Sequence, residues 1–243
     1  MSGPERIGYL LSKYSDLFLK GVGVTLLLAI VGTGLGLVLG LGLALLRNLK
    51  PTIQDSRFKA VMKVVGSQFA RIYIEVFRGT PMMVQAIIIY FGGKMIGIPW
   101  TYLVCGLFVI SINTTAYMAE IIRSGINGVD IGQTEAARSL GMSHFQTMTL
   151  VIFPQALKNS IPSIGNEFIV NIKDSSVLNV ITVSELFMAA KIASSATYFY
   201  IESYLIIAAV YLILTVIFSQ LLKLLEKRLN APYIQKLKGA TNG

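Results

Sequence analysis

The sequence is poor in charged residues, and this scarcity restricts the class of protein. Only 14% of its 243 residues are Asp, Glu, Lys or Arg, and 54% are hydrophobic. An ordinary soluble domain carries about 25% charged residues, so the composition excludes a disordered chain, a coiled coil and most soluble enzymes. The charges are also unbalanced, with 21 Lys and Arg against 12 Asp and Glu, a net charge of +9. Together with long apolar runs, this indicates an integral membrane protein with basic loops.

Residues that build metal sites and catalytic centres are scarce as well. The single cysteine, Cys105, excludes a disulfide framework within one chain, and the single histidine, His144, cannot form a zinc site alone. The sequence contains no G-x-x-x-x-G-K-[ST] phosphate loop, no complete G-x-G-x-x-G turn and no H-E-x-x-H pair. We therefore predict no catalytic residue, no metal and no cofactor in this chain. Any ATP-driven work needs a partner.

Hydrophobic segments predict an all-α membrane protein with five transmembrane helices. The first segment has 26 residues without a charge, which at about 1.5 Å per residue exceeds the roughly 30 Å hydrocarbon core. The fourth is unusually polar for a span. No cleavable signal peptide is expected before the first helix. The chain is predicted to be one transmembrane domain, 1–243, with spans at about 21–46, 72–93, 103–122, 161–190 and 204–222 and a cytoplasmic loop over 123–160.

The first span carries glycines at four-residue spacing. Gly32, Gly36 and Gly40 fall on one helix face. This pattern favours close packing against another helix, although glycine is also generally tolerated in membrane helices.

The distribution of Lys and Arg predicts the orientation of the chain. The segments 47–80 and 123–160 and the C-terminal tail hold 15 of the 21 basic residues and share one side if five spans alternate. The positive-inside rule then places these segments and the C-terminus in the cytoplasm and the N-terminus outside. The basic 47–80 segment is also suited to anionic lipid headgroups. Nucleic acid is not an expected partner, because no aromatic stacking platform for bases interleaves with these charges.

The 123–160 loop has the pattern of two short helices joined by a turn. Asp130 and Gln133 occupy the positions of a capping box, Gly141 is suited to a left-handed turn, and Ser143 opens a second capping box before Pro154. Two interpretations are open, a docking element for a partner and a re-entrant hairpin packed under its own bundle. The second helix brings apolar side chains into a cytosolic loop: Phe145, Met148, Val151 and Ile152.

The same loop resembles a known family. Glu135, Ala136 and Ala137, followed by Gly141 and then by residues 151–154, are similar to the E-A-A-x3-G-x9-I-x-L-P loop of ATP-binding-cassette importer permeases. Val151 and Phe153 replace the usual Ile and Leu. The segments 75–81, 116–123, 166–168 and 173–176 resemble the branch that takes up polar amino acids. The resemblance covers about residues 17–230.

The resemblance implies a multi-pass subunit of the bacterial cytoplasmic membrane that forms the translocation pathway of an amino-acid importer. It implies two ATPase subunits, which bind ATP and Mg²⁺, a second permease subunit that is an identical copy or a close homologue, and an extracytoplasmic binding protein that delivers the amino acid. The loop is implied to act as a rigid lever, with Glu135 fixing it. The implied ATPase-coupling residues are Glu135, Ala136, Ala137, Gly141, Ser143, His144, Phe145 and Pro154.

Ionisable groups inside the predicted spans suggest where cargo passes, because such groups are costly in a bilayer and usually face a cavity or a partner. Lys173 is suited to the carboxylate of an amino acid, and Asp174, Glu167 or Glu185 to its ammonium group. The alternative is an internal ion-pair or hydrogen-bond network. Glu120 and Arg123 are predicted to be structural ion-pair members. The pathway candidates are Asn113, Thr114, Glu167, Asn171, Lys173, Asp174, Ser175 and Glu185.

Two other functions compete with the importer subunit. A secondary transporter or channel working without an ATPase would be favoured by an inverted repeat or by broken helices in matching halves, and the sequence indicates neither. A membrane-embedded enzyme would need a catalytic cluster that the sequence lacks. The permease subunit of an ATP-driven importer for amino acids, polar or charged, is the function predicted.

Overall fold

The computed structural model describes the backbone of residues 1–52 and 55–240 and the side chains of this part up to residue 228. The tail residues Lys236 and Lys238, predicted to be cytoplasmic, have side chains outside this range. All regular elements in the described part are helical. They are α1 (Gly3–Arg47), α2 (Arg57–Gly79), α3 (Met82–Met95), α4 (Tyr102–Asn127), α5 (Ile131–Ser139), α6 (His144–Gln146), a π-helical turn (Thr147–Ile152), α7 (Phe153–Asp174), a 3-10 segment (Ser175–Ile181), α8 (Leu186–Thr197) and α9 (Tyr200–Ala240).

Helix α1 begins well before the predicted first span. Ser2 and Glu5 form a capping box, so the helix starts at Gly3 and runs for 45 residues. The charged residues of this first part make it look unsuited to a span, but Leu10 and Phe18 are buried against the α8 and α9 side chains. An ion pair of 3.1 Å between Arg6 and Glu202 ties its start to α9.

The prediction of close packing along the glycine face is confirmed. The three glycines are buried where α1 crosses α4, and α4 presents side chains at the same four-residue spacing. A side chain at any of these positions would drive the two helices apart. An added Cβ would lie 2.9 Å from Ile110 at Gly32, 2.7 Å from Thr114 at Gly36 and 2.6 Å from Met118 at Gly40.

The predicted segment 72–93 is divided between two helices, α2 and α3, which meet at an angle of 108°. The break falls at Thr80 and Pro81, where the ring of Pro81 leaves the chain without an N–H donor. The Gln85 amide nitrogen donates hydrogen bonds to the carbonyl oxygens of Phe77 and Thr80, both at 3.0 Å. These bonds satisfy backbone groups that the break sets free, as a membrane interior requires.

The predicted segment 161–190 is also interrupted. The helical run from His144 to Ile181 meets α8 at 53°. Thr182 at the junction has φ +67°, a left-handed conformation that is uncommon for a β-branched residue. Glu185 then starts α8 by accepting hydrogen bonds from the N–H groups of Phe187 (2.7 Å) and Met188 (2.8 Å).

Three described helices are long and apolar enough to cross a membrane, and five spans result if each bent pair counts as one. No broken helix is expected from the sequence, and the described part of the structure contains two such breaks. Side chains from α3, α4 and the 3-10 segment share one core, which includes Ala86, Tyr90, Val109, Leu178 and Ile181. The two breaks are therefore part of one packed unit.

Candidate functional site

The predicted loop helices form between α4 and α7. Asp130 caps α5 by accepting a hydrogen bond from the Gly132 N–H at 2.7 Å. The reciprocal contact predicted for Gln133 is replaced by another, since its side-chain oxygen accepts from the Gln155 amide at 3.4 Å. Glu135 is exposed, and no ion pair involves it within the part of the chain that the structure describes.

Gly141 makes the left-handed turn that the sequence predicted. Its φ is +78°, and two backbone hydrogen bonds close the end of α5: Gly141 N–H to Arg138 (2.9 Å) and Met142 N–H to Ala137 (3.2 Å). This pair of bonds is the Schellman arrangement. No atom lies within 4 Å of an added Cβ, so the demand for glycine here is conformational rather than steric.

The second capping box joins the loop rigidly to α7. The Gln146 N–H donates to the Ser143 hydroxyl at 3.2 Å, and the Ser143 N–H donates to the Gln146 side chain at 2.9 Å. From His144 the helical backbone continues through the π-helical turn into α7. The loop and α7 are therefore joined by continuous helical backbone.

Large apolar side chains cover the outside of this loop. We call Ile131, Leu140, Phe145 and Leu150 the loop surface; they are exposed by 75%, 83%, 75% and 68%. Among them only Phe145 was singled out from the sequence as a coupling residue. The loop surface is therefore not packed against the described helices of the chain.

A cavity of about 540 Å³ lies between the end of α2, the second half of α4 and α7. The Arg78 guanidinium lies 5.5 Å from the centre of the Tyr117 ring, a cation–π contact. The cavity thus combines a cation, carboxylates, an aromatic face and small polar groups. It is lined by Arg78, Tyr117, Glu120, Ile121, Ser124, Pro162, Ser163, Asn166 and Glu167.

The predicted ion-pair role of Glu120 and Arg123 is confirmed. The Arg123 Nε donates to the Glu120 carboxylate at 2.9 Å, and Arg47 at the end of α1 pairs with the same carboxylate. Glu120 therefore connects α1 to α4 at the side of the cavity.

The predicted pathway residues fall into two groups. Glu167 lines the cavity, and Lys173 and Asp174 are exposed at the end of α7. Asp174 follows Glu167 by seven residues, two helical turns, so the two carboxylates share a face.

The other candidates make internal contacts. The Asn113 amide donates to Phe77 (3.3 Å) and Gln85 (2.9 Å) at the break between α2 and α3. The remaining four lie in buried contacts that correspond to the internal network weighed from the sequence. The Thr114 hydroxyl donates to the Asn171 side-chain oxygen at 3.1 Å, and the Asn171 amide donates to the Thr33 hydroxyl at 2.9 Å. The Ser175 hydroxyl donates to the Ile172 carbonyl at 2.9 Å. Glu185 has no exposed surface, and its carboxylate accepts from the Tyr211 hydroxyl at 3.0 Å.

Sequence reasoning did not select Arg78, Tyr117 or Asn166 for the pathway. All three lie in segments noted for their family resemblance, and Arg78 is a charge within the predicted second span. The missing information was the break after Gly79, which ends α2 beside α4 and α7 and brings Arg78 to the cavity.

Comparisons with known proteins agree with this architecture. The chain is 40% identical over 174 residues to the probable amino-acid permease protein YxeN of Bacillus subtilis, covering 68% of this chain and 75% of that one. It is 41% identical over 162 residues to the putative glutamine transport system permease protein GlnP of Rickettsia bellii, covering 66% and 74%. A crystal structure of an amino acid ABC transporter with histidines superposes with a TM-score of 0.79 and 44% identity, covering 90% of this chain and 96% of the other.

The family model described as "Binding-protein-dependent transport system inner membrane component" matches residues 56–231. This range includes both broken spans, the cavity and the loop surface. Nothing in these comparisons supports a transporter that works without an ATPase. The chain belongs to the family of inner membrane components of binding-protein-dependent transport systems.

Proposed function

We propose that this chain is the permease subunit of an ATP-driven importer for polar or charged amino acids. The observation that carries the proposal is the cavity in which Arg78 and Glu167 lie together beside Tyr117. An amino acid presents a carboxylate and an ammonium group, and this lining offers a partner to each. The names of the similar permeases, amino-acid and glutamine systems among them, support the same substrate class.

In the proposed pathway, the Arg78 guanidinium receives the substrate carboxylate, because its fork matches that group in two parallel hydrogen bonds. Glu167 and Asp174 attract the ammonium group, and Lys173 at the same end of α7 guides the carboxylate. The residues with internal contacts, Asn113 among them, keep the broken helices in place.

The proposed assembly contains a second permease subunit, two ATPase subunits and an extracytoplasmic amino-acid-binding protein. ATP and Mg²⁺ bind to the ATPase subunits, and the permease itself carries no cofactor. The chain crosses the bacterial cytoplasmic membrane five times, with its N-terminus outside and its C-terminus and loop surface in the cytoplasm. The concentration of Lys and Arg on that side supports this orientation.

The loop surface is the proposed contact with an ATPase subunit. Closure of the ATPase dimer presses on α6, and the helical connection into α7 carries the movement to Glu167. The implied coupling residues have distinct tasks here: Gly141 makes the turn, Ser143 caps α6, His144 and Phe145 face the partner, Ala136, Ala137 and Glu135 belong to α5, and Pro154 lies in the first turn of α7.

The function is tested by measuring ATP hydrolysis of the complex reconstituted in proteoliposomes with its binding protein and a panel of amino acids. Polar or charged amino acids are expected to stimulate hydrolysis and to accumulate inside. Stimulation by sugars or peptides but by no amino acid would overturn the substrate class.

The coupling contact is tested by Phe145→Ala, with Phe58→Ala as a matched control. Both side chains are 75% exposed, but Phe58 lies on α2. We expect Phe145→Ala to weaken ATPase association at least tenfold, since an aromatic anchor at an interface is worth about 2 kcal/mol, and Phe58→Ala to leave it unchanged. Equal effects would contradict the proposed contact.

A further inference from the structure

A second polar pocket, of about 390 Å³, lies where the end of α1 meets α2 and α4. It is separate from the cavity described above and shares none of its lining residues. We call it the basic pocket, because its walls carry four cationic side chains and one carboxylate: Arg47, Lys50, Arg71, Arg123 and Glu75.

The cations of the basic pocket are only partly neutralised by their neighbours. Glu120 pairs with Arg47 and Arg123, while Arg71 and Lys50 are exposed and have no ion pair among the described residues. Even with Glu120 counted beside Glu75, four cations face two carboxylates. The pocket is therefore suited to an anion.

The neighbouring Lys63 differs from the cations of the pocket. Its ammonium lies 2.6 Å from Asp55, and this hydrogen bond lowers the pKa of the Asp55 carboxyl below its ordinary value. Lys63 is therefore already paired, so it attracts an incoming anion less strongly than Arg71 or Lys50 does.

The position of the basic pocket along the membrane normal limits what that anion is. The charge-free stretch of α1 ends at Leu46, and Arg47 is the first charge after it, so a span formed by this stretch puts Arg47 at the edge of the hydrocarbon core. Lipid phosphates lie at this depth. Exposed apolar side chains lie near the pocket in sequence: Leu45 (50%) near the end of α1, Leu49 (38%) in the segment that follows it, and Phe69 (59%) and Ile72 (59%) on α2.

We propose that the basic pocket binds the phosphate of an anionic phospholipid headgroup, with Arg71 and Lys50 as its main contacts. The Arg71 guanidinium holds two phosphate oxygens at once, and the Lys50 ammonium adds a compact charge. The acyl chains lie along the exposed apolar side chains of α1 and α2. The orientation proposed above places this lipid in the cytoplasmic leaflet, where anionic lipids attract basic groups.

The test measures lipid binding to the purified permease–ATPase complex in detergent by native mass spectrometry, with phosphatidylglycerol as probe and phosphatidylcholine as reference. We expect Arg71→Gln to weaken phosphatidylglycerol binding about fivefold, and the double variant Lys50→Gln, Arg71→Gln about 25-fold, because each cation near the surface is worth that factor. Arg71→Lys keeps the charge but loses the two-oxygen contact, and it is expected to weaken binding less than Arg71→Gln does.

Lys59→Gln is the matched control, since it removes the same charge from α2 outside the pocket. It is expected to change binding less than twofold. A loss equal to that of Arg71→Gln would indicate diffuse attraction and overturn the site. Displacement of the lipid by inorganic phosphate would identify a free phosphate site, and crosslinking of position 71 to the second permease subunit would identify a protein contact; either result overturns the lipid assignment.

Discussion

Single residues in this protein act mainly through backbone geometry and through buried polar contacts. Along α1, glycine is required where α4 approaches and is neutral two residues further on, on the opposite face. Gly40 is buried, and a Cβ there would lie 3.0 Å from the Ala119 backbone nitrogen. Gly42 has nothing within 4 Å of an added Cβ. The same substitution therefore has opposite consequences at two neighbouring positions.

We predict that Gly40→Ala destabilises the permease by about 1–3 kcal/mol, because overpacking forces the helices apart. Gly42→Ala is expected to leave stability unchanged or slightly raised, since it improves helix propensity without a clash. Thermal unfolding of the purified complex in detergent measures both. A Gly40→Ala protein as stable as the Gly42→Ala protein would contradict the close packing.

Carboxylates of this chain also differ by their surroundings. Asp174 is exposed at the end of α7, whereas Glu185 is fully buried and holds the start of α8 together with Tyr211. We predict that Asp174→Asn changes the relative uptake rates of cationic and neutral amino acids at nearly normal stability. Uptake competition in proteoliposomes measures this change. Unaltered affinity and selectivity would assign Asp174 to a structural role.

Glu185→Ala is predicted to lower stability without changing the selectivity of uptake. It leaves two N–H groups of α8 and the Tyr211 hydroxyl without their acceptor, at a cost of about 2 kcal/mol or more. The expected result is a lower unfolding midpoint with unchanged relative uptake rates among amino acids. A changed selectivity at normal stability would place Glu185 in the pathway after all.

At the scale of elements, the loop between α4 and α7 works as a unit because each of its ends is closed by a defined cap. Gly141 is the position on which the direction of α6 depends. For a residue other than glycine at this position, the left-handed conformation costs about 1–2 kcal/mol, and the cost is smaller for Asn than for a β-branched residue.

We therefore predict that ATP-driven uptake falls in the order Gly141, Gly141→Asn, Gly141→Ala, Gly141→Val, while membrane insertion stays normal in all of them. Uptake per inserted complex is the measurement. Normal coupled uptake by Gly141→Val would contradict the lever mechanism.

At the scale of the whole molecule, the charge distribution predicts which end of the bundle faces which compartment. The orientation is tested with single cysteines in a Cys105→Ala background, since Cys105 is buried. Ser12 and Ser139 are exposed at opposite ends of the bundle in the proposed topology. We predict that Ser12→Cys reacts with a membrane-impermeant maleimide in whole cells, and that Ser139→Cys reacts only after the cells are opened. The reverse pattern would invert the topology.

Much of this protein was determined by local sequence. Apolar runs bounded by charges predict helices, Gly141 predicts a left-handed turn, Ser143 predicts a cap, and the spacing of Gly32, Gly36 and Gly40 predicts a close crossing. These features depend on neighbours within one or two helical turns, which is the range over which side-chain size and capping act.

Only the tertiary structure decided which polar residues meet. The Gln85 side chain donates to backbone carbonyl oxygens that the break at Pro81 leaves free. This arrangement places Arg78 beside Tyr117 and Glu167, which are distant from it in sequence. Asn171 and Glu185, equally polar in the same predicted span as Glu167, are instead buried against Thr33 and Tyr211. The low charge content predicted a membrane environment for this chain. The packing of broken helices separated the polar groups that bind one another from those that line the cavity, because a buried polar group must find its partner wherever the fold brings one.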